Sequence, residues 1–236
     1  MIKFANLKFK GLQKKIILHE NTKLKIIIPT NAELIIKAQK NERFKNIINE
    51  NYATFDGQVP YFFAKLQNKN IEFEKISGSD LIYDFCELAK KKNYKIFLLG
   101  GLEESNQLSI KKIQNNYNIL IEGYSPPYAS YPFTKEHNQM ILSYIKNFQP
   151  DILFIGFGAP KQEFWIDDNR EFLNDIGIKW VIASGGTFEF VADKIKRAPK
   201  IIQQIGMEGV WRFLVEPKWF RLKRLIISFK IFKYIF

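Results

Sequence analysis

Asp151-Ile-Leu-Phe-Ile-Gly-Phe-Gly-Ala-Pro-Lys-Gln-Glu-Phe-Trp165 is the stretch on which the reading of this sequence turns. Its apolar run, Ile152 to Ile155, suits a strand buried on both faces of a parallel sheet. Gly156 and Gly158 then allow a tight turn with the backbone close to a ligand, and Pro160 is pre-set for a first helical turn. The N–H groups of such a helix point past the strand end, with Lys161 and Gln162 beside them, which outlines an anion site. A strand-to-helix turn without a ligand has the same local signature. Weight comes from recurrence.

Two more junctions of this kind flank the first. Lys95 to Leu99 is an apolar strand that ends in Gly100-Gly101, before a helix opening with Glu103-Glu104-Ser105. The G-x-G-x-x-G spacing of a dinucleotide site is absent and the acids oppose phosphate, so Gly101 reads as scaffold or sugar contact. A strand over Lys179 to Ala183 leads to Ser184-Gly185-Gly186-Thr187-Phe188, whose small residues leave room for a nucleotide base or sugar. The βαβα alternation predicts an α/β fold: a mostly parallel, Rossmann-like sheet with helices on both faces.

Upstream, Lys15 to Leu18 reads as a short edge strand and Lys23 to Ile28 as a strand closed by Pro29. Thr30 or Asn31 caps a helix carrying Leu34, Ile35 and Ala38, with a sugar-hydroxyl contact as the other role for Asn31. After a short helix over Arg43 to Asn51 comes Tyr52-Ala-Thr-Phe-Asp56-Gly57-Gln58. A carboxylate at a strand end, followed by a glycine that leaves it uncovered, is how α/β enzymes present a base. Asp-Gly is also a common turn pair. Ser79 caps a helix over Leu81 to Lys92, Asn118 to Ile121 is a strand, and the loop Gly123 to Phe133 has the length and aromatic content of a lid. Helices are expected over Lys135 to Phe148, Lys161 to Leu173 and Ile201 to Val215.

The chain has 236 residues, 46% hydrophobic and 15% aromatic, enough for a large core. Its formal charge is +12, and from Lys194 onward eleven basic residues face only Glu208 and Glu216, a net +9. A basic end needs an anionic partner. Between Lys218 and Phe236, arginines and lysines mix with Trp219, Leu222, Ile226 and Phe229, which suits a helix lying in the headgroup layer of an anionic leaflet. A terminal helix packed on its own domain or on a partner subunit is the plainer reading. The expected division is an α/β domain over 1–193 and a basic helical, membrane-associating appendage over 194–236. Met1 to Lys15 lacks a signal-peptide core and no segment reaches the ~18 uncharged residues of a membrane span. The single cysteine, Cys86, reads as a core thiol in a reducing compartment. His19 and His137 read as surface residues, not metal ligands.

With these residues in view, the chain resembles the WecG/TagA/CpsF family of bacterial glycosyltransferases (glycosyltransferase family 26) over roughly residues 24 to 225. The likeness rests on Asn31-Ala-Glu33, Asp56-Gly57, Gly78-Ser-Asp80, Phe97-Leu-Leu-Gly-Gly101, Gly156-Phe-Gly-Ala-Pro-Lys-Gln-Glu163, Gly185-Gly-Thr-Phe188, Lys196-Arg-Ala-Pro199, and Arg212 with Glu216-Pro217. One departure is Pro29, where the family usually carries the threonine found here at Thr30. The resemblance implies inverting transfer of an N-acetylhexosamine-type sugar, N-acetylmannosamine or its uronic acid, from a UDP donor. The implied acceptor is undecaprenyl-diphospho-N-acetylglucosamine, in synthesis of a cell-surface polymer.

It also implies Asp56 as general base, with Asn31 and Gln162 on the sugar or acceptor. Arg212, Arg221 and Arg224 would close over the diphosphate. The substrate-binding set is completed by Thr30, Gly57, Gln58, Gly101, Lys161, Gly186 and Arg197. The sequence has no Asp-x-Asp pair, so neither a metal nor another cofactor is expected. The expected setting is the cytoplasm, peripheral on the inner face of the cell membrane, with a homo-oligomer compatible and no nucleic acid. The rival is a non-catalytic nucleotide-binding module whose basic tail holds nucleic acid. Its weakness is the tail's long aliphatic component.

Overall fold

The computed structural model describes the chain except residues 197, 200, 203–206, 216 and 236, and omits the side chains at 212, 220 and 224. The elements in chain order are β1 (Ile2–Phe4), β2 (Leu7–Phe9), α1 (Lys14–Leu18), β3 (Lys25–Thr30), α2 (Ala32–Ala38), α3 (Glu42–Glu50), β4 (Tyr52–Phe55) and α4 (Gln58–Gln67). They continue with α5 (Gly78–Lys92), β5 (Ile96–Gly100), α6 (Glu103–Tyr117), β6 (Ile121–Tyr124), α7 (Lys135–Phe148), β7 (Ile152–Gly156), α8 (Lys161–Asp168) and α9 (Arg170–Asp175). The last are β8 (Trp180–Ala183), α10 (Thr187–Val191), α11 (Glu208–Val215), α12 (Trp219–Phe229) and a 3₁₀ turn over Lys230–Tyr234. A six-stranded parallel sheet in the order β4-β3-β8-β7-β5-β6 makes this the expected Rossmann-like α/β fold.

The chain divides into two compact units, one of Met1–Ile17, Ile28–Ser77 and Lys196–Phe236, the other of Leu18–Ile27 and Gly78–Ile195. The C-terminal segment thus groups with the residues around β4. Ile231 is fully buried, Phe232 meets Phe63 of α4 edge-on at 5.4 Å, and the Gln67 amide donates to Ile235 O at 3.1 Å.

In the second unit the apolar runs became the strands for the reason the sequence suggests. Ile96–Leu99, Ile152–Ile155 and Trp180–Ile182 are buried on both faces, and the registers Leu99↔Ile155 and Ile155↔Ala183 bring the strand ends level. The order of connections matters. β5 leads outward to β6 whereas β7 leads back to β8, so right-handed crossovers place their helices on opposite faces and leave a crevice at the carboxyl ends between β5 and β7. The contacts agree: the Ser109 hydroxyl of α6 donates to Phe188 O of α10 at 2.9 Å, and on the other face Trp165 Nε1 of α8 donates to Asn138 Oδ1 of α7 at 2.7 Å.

Several sequence expectations shift. Lys15 to Leu18 belongs to a single helical turn, not an edge strand, with only Ile17 buried. β3 continues through Pro29 to Thr30, past Ile27, where its ladder to β8 ends, so the missing N–H costs no bond on that side. β6 begins at Ile121, since Asn118 caps α6 in the left-handed region at φ 52°. The helix from Lys161 breaks at Asn169, whose side chain donates to Trp165 O at 2.8 Å. In the first unit, the antiparallel hairpin of β1 and β2 lay unread in the sequence. Its rings build that core: Phe9 stacks on Phe55 at 4.0 Å, and Phe55 lies 5.1 Å from Phe73.

Candidate functional site

The residues expected to act fall into both units, and each group is described in turn. In the second unit the three glycine turns do lie at the carboxyl ends of adjacent strands. Gly101 has φ +74°, its N–H donates to Gly156 O at 3.1 Å, and a side chain there would begin 2.8 Å from the Phe188 ring. The same ring stands 2.8 Å from where a Gly156 side chain would begin, so both glycines are required by close packing. Gly158 and Gly185 also have positive φ, +81° and +55°, but no described atom comes within 4 Å of where their side chains would start. These two face open space. Gly186 caps α10 without a side chain, and Thr187 closes that turn by donating to Ser184 O at 2.6 Å.

Gln162 holds this rim together. It is 3% exposed, and its Oε1 accepts from both Gly158 N at 3.0 Å and Gly185 N at 3.2 Å. Its Nε2 donates to Oε1 of the fully buried Glu163 at 2.9 Å. The amide thus joins two turns from different strands. Pro160 is the cap residue of α8, not its first helical residue, and follows a cis peptide.

Lys161 is half-buried. Its Nζ donates to Ala129 O at 3.3 Å and lies 5.0 Å from the Tyr128 ring, 5.6 Å from Phe133 and 5.8 Å from Phe157. Burial pushes its ammonium below the usual lysine value. The expected lid loop therefore rests on this lysine through its own carbonyl and rings, and Tyr131 adds a hydrogen bond to Asp168.

Two residues of this rim escaped the sequence reading. Asn106, fully buried on α6, donates Nδ2 to Leu98 O at 3.0 Å and Gly100 O at 2.8 Å, and so fixes the turn after β5. Ser125 donates to the same Gly100 O at 3.0 Å. An asparagine in line with the buried Ile110 and Ile113 was the available signal, because an amide on an apolar helix face needs buried partners.

In the first unit, Asp56 is the residue after β4, and its N–H donates to Thr30 O at 3.2 Å, so the ends of β3 and β4 are paired. Asp56, Gly57 and Gln58 are all half-buried. Gly57 has φ +92° and caps α4 with no side-chain bond. Thr30 is fully buried, its hydroxyl donating to Ile28 O at 2.8 Å. Asn31 caps α2, its Oδ1 accepting from Leu34 N at 3.1 Å. Arg221 is half-buried on α12, a helix packed against α2. Arg197 and the side chains of Arg212 and Arg224 lie outside the described residues.

Among the described residues no group of three His, Cys, Asp or Glu side chains gathers as a metal site would, and no helix is long and apolar enough to cross a membrane. In the second unit, glycine turns stand at a switch point with open space over two of them, which is where open α/β sheets bind ligands. Comparison with known families adds the chemistry. The Glycosyl transferase WecG/TagA/CpsF family matches residues 1–236, the whole chain, and the protein belongs to this family, a glycosyltransferase of cell-surface polymer synthesis.

Proposed function

We propose that the enzyme moves an N-acetylhexosamine-type sugar, N-acetylmannosamine or its uronic acid, from UDP to an undecaprenyl-diphosphate-linked N-acetylglucosamine, with inversion and without a metal. The acceptor hydroxyl attacks the anomeric carbon, its proton passes to the Asp56 carboxylate, and UDP leaves from the opposite face of the sugar. The supporting observation is the setting of Asp56: half-buried at a strand end, backbone tied to Thr30, and followed by a glycine at φ +92° where an added side chain would begin 4.0 Å from Pro60. The nucleotide sugar takes the glycine turns of the second unit, with Gly101, Lys161 and Gly186 beside it. Asn31 offers its amide to a sugar hydroxyl, and Gln58 begins the helix that follows the base.

Charge developing on the departing diphosphate needs fixed cations where no metal serves, and Arg197, Arg212, Arg221 and Arg224 supply them. The tail has a second role. Trp219 is 76% and Phe229 64% exposed, and Lys218, Lys223, Lys230 and Lys233 are exposed with them. Large apolar and cationic side chains together favour the anionic inner leaflet, where a lipid-linked acceptor resides, over nucleic acid.

The test is turnover of several UDP-sugars with a short lipid-diphosphate acceptor in the presence of chelator. Asp56→Asn is expected to lower kcat by about 10²- to 10⁴-fold at unchanged melting temperature. Unchanged turnover removes the base assignment, and loss of wild-type turnover with chelator removes the metal-free route.

A further inference from the structure

Helix α4 presents three stripes. Pro60 and Ala64 are buried, and Phe63 and Gln67 form the seat on which the 3₁₀ turn rests through Phe232 and Ile235. Beside that seat, Phe62 and Leu66 stand one turn apart on a common face, 51% and 49% exposed. The Phe62 ring meets Phe63 edge-on at 5.5 Å, and Phe63 meets Phe232 at 5.4 Å, so ring contacts connect α4 to the 3₁₀ turn. Exposed lysines belong to the same segments: Lys69 just past α4, Lys230 and Lys233 on the turn, and Lys65 of α4, whose Nζ lies over the Tyr61 and Phe73 rings. Neither α4 nor the segment from Trp219 to Tyr234 contains an acidic residue.

We propose that the Phe62 and Leu66 stripe is a second lipid-contacting element, which enters the same anionic leaflet as α12. It rests on the membrane reading of the tail given above and extends it to a helix of the α/β fold itself. Ring contact with the tail and the exposed lysines select a charged bilayer as occupant. A nucleic acid would stack on the phenylalanine but leave the leucine uncovered, whereas the acyl region of a bilayer takes both. The consequence concerns height. α4 begins two residues after Asp56, and at ~1.5 Å per residue Leu66 lies about 12 Å along the axis from Gln58. A helix anchored at Leu66 fixes how far above the lipid the base stands, and hence which hydroxyl of a lipid-linked sugar it can meet.

The experiment is flotation of the full chain with vesicles of phosphatidylcholine alone and with added phosphatidylglycerol. It compares wild type, Phe62→Ser with Leu66→Ser, and Trp219→Ser with Phe229→Ser. The α4 double variant is expected to bind the anionic vesicles at least about tenfold more weakly at unchanged melting temperature, because two exposed apolar side chains lose their transfer into lipid. As an independent readout, a polarity-sensitive dye on Phe62→Cys should shift to the blue with those vesicles. Cys86 is fully buried and does not compete for the label. Wild-type flotation by the α4 variant overturns the inference while leaving the tail reading intact. No flotation of wild type overturns both. An α4 variant that floats normally but changes oligomeric state in sedimentation assigns the stripe to a second copy of the chain, and also overturns it.

Discussion

The two ends of the parallel strands in the second unit are built from opposite materials. Where the strands begin, side chains tie them: Lys179 Nζ reaches Glu20 at 3.0 Å and Asp151 at 3.2 Å and lies 4.1 Å from the Tyr94 ring. Asp151 accepts from Lys95 N at 2.9 Å, and Tyr94 donates to Glu20 at 2.6 Å. Where the strands finish, the backbone itself is the surface. Gly158 and Gly185 leave it bare, Gly100, Gly101 and Gly156 let the Phe157 and Phe188 rings pack against it, and the Gln162 amide joins two of its turns. A charged rim closes one end with side-chain bonds, while a glycine rim leaves the other with fewer groups to hold it. Damage should therefore be unequal.

Between the two rims, the largest effect is expected at Gln162. Gln162→Ala strands two backbone donors and one buried carboxylate contact, at a cost of about 1–3 kcal/mol in stability, and lets the two turns drift apart. Misplacement on the scale of an ångström costs on the order of 10²-fold in turnover. The informative variant is the interchange, Gln162→Glu with Glu163→Gln. A carboxylate at 162 still accepts from Gly158 and Gly185, and an amide at 163 returns the donor, so the pattern survives with its direction reversed. Recovery of both melting temperature and kcat marks Gln162 as a positioning residue. Recovery of melting temperature alone shows that its amide touches the sugar.

Glycine substitutions come next. A methyl at Gly156 or Gly101 begins 2.8 Å from Phe188, and Gly101 adds a positive φ, so each alanine variant should lose about 1–3 kcal/mol by thermal melting. Phe188→Leu should relieve Gly156→Ala more than Gly101→Ala, because only the second carries backbone strain as well. Equal rescue would mean that ring contact alone requires both glycines.

This contrast also explains what the sequence disclosed. Apolar runs ending in glycine are local patterns, so β5, β7 and β8 and their turns were legible residue by residue. The rim of charges was not, since Glu20, Tyr94, Asp151 and Lys179 meet only after the strands are ordered side by side. Gln162 was legible as a polar residue at a helix start, but its partners come from two turns, and its amide proved to face inward. Thr30 was read from a motif and Asn106 passed over for the same reason: burial decides what a polar side chain can offer. The hairpin of β1 and β2 hid behind strands of three residues and an Ala5-Asn6 turn, in which non-glycine residues take φ of 44° and 58° in place of the usual Asn-Gly signal.

At the charged rim a smaller loss is expected. Lys179→Met should cost about 0.5–1 kcal/mol, as partly exposed ion pairs do, with turnover unchanged. The pH dependence has a definite sign. The hydroxyl of Tyr94 and then Lys179 hold the Glu20 carboxyl below its usual 4.5, so its share of the stability is present above about that pH and fades as the solution becomes more acid. Burial opposes the Lys179 charge, but Glu20 and Asp151 more than offset it and raise the ammonium above the usual lysine value. Its share persists through neutral pH and is lost only in strong base. The gap between wild type and variant in urea melts should be level from about pH 5 to 9 and narrow below 4.5. A gap that widens in acid would show that the rim is held by packing on Tyr94 instead of by charge.

The smallest effect is expected at Cys86, which belongs to neither rim. It lies on α5 next to Phe85, whose ring packs edge-on against Phe154 at 5.8 Å and Trp180 at 5.6 Å, so it sits beneath the sheet that both rims terminate. Burial, reinforced by Glu87, pushes its thiol up to about 12, and a thiol that is not ionised is not a nucleophile. At pH 8 the folded chain should resist a maleimide for as long as it stays folded, and its labelling rate should follow the fraction unfolded as urea is added. A folded-state pKa above the unfolded value also means that this group's contribution to stability is whole below pH 9 and declines as pH rises beyond it. If Gln162→Ala speeds labelling in the absence of urea, the amide clamp supports the core beneath it as well as the turns above. If labelling is unchanged while turnover falls, loss of the clamp is felt only at the open end, and the division between the two rims holds at the level of single residues.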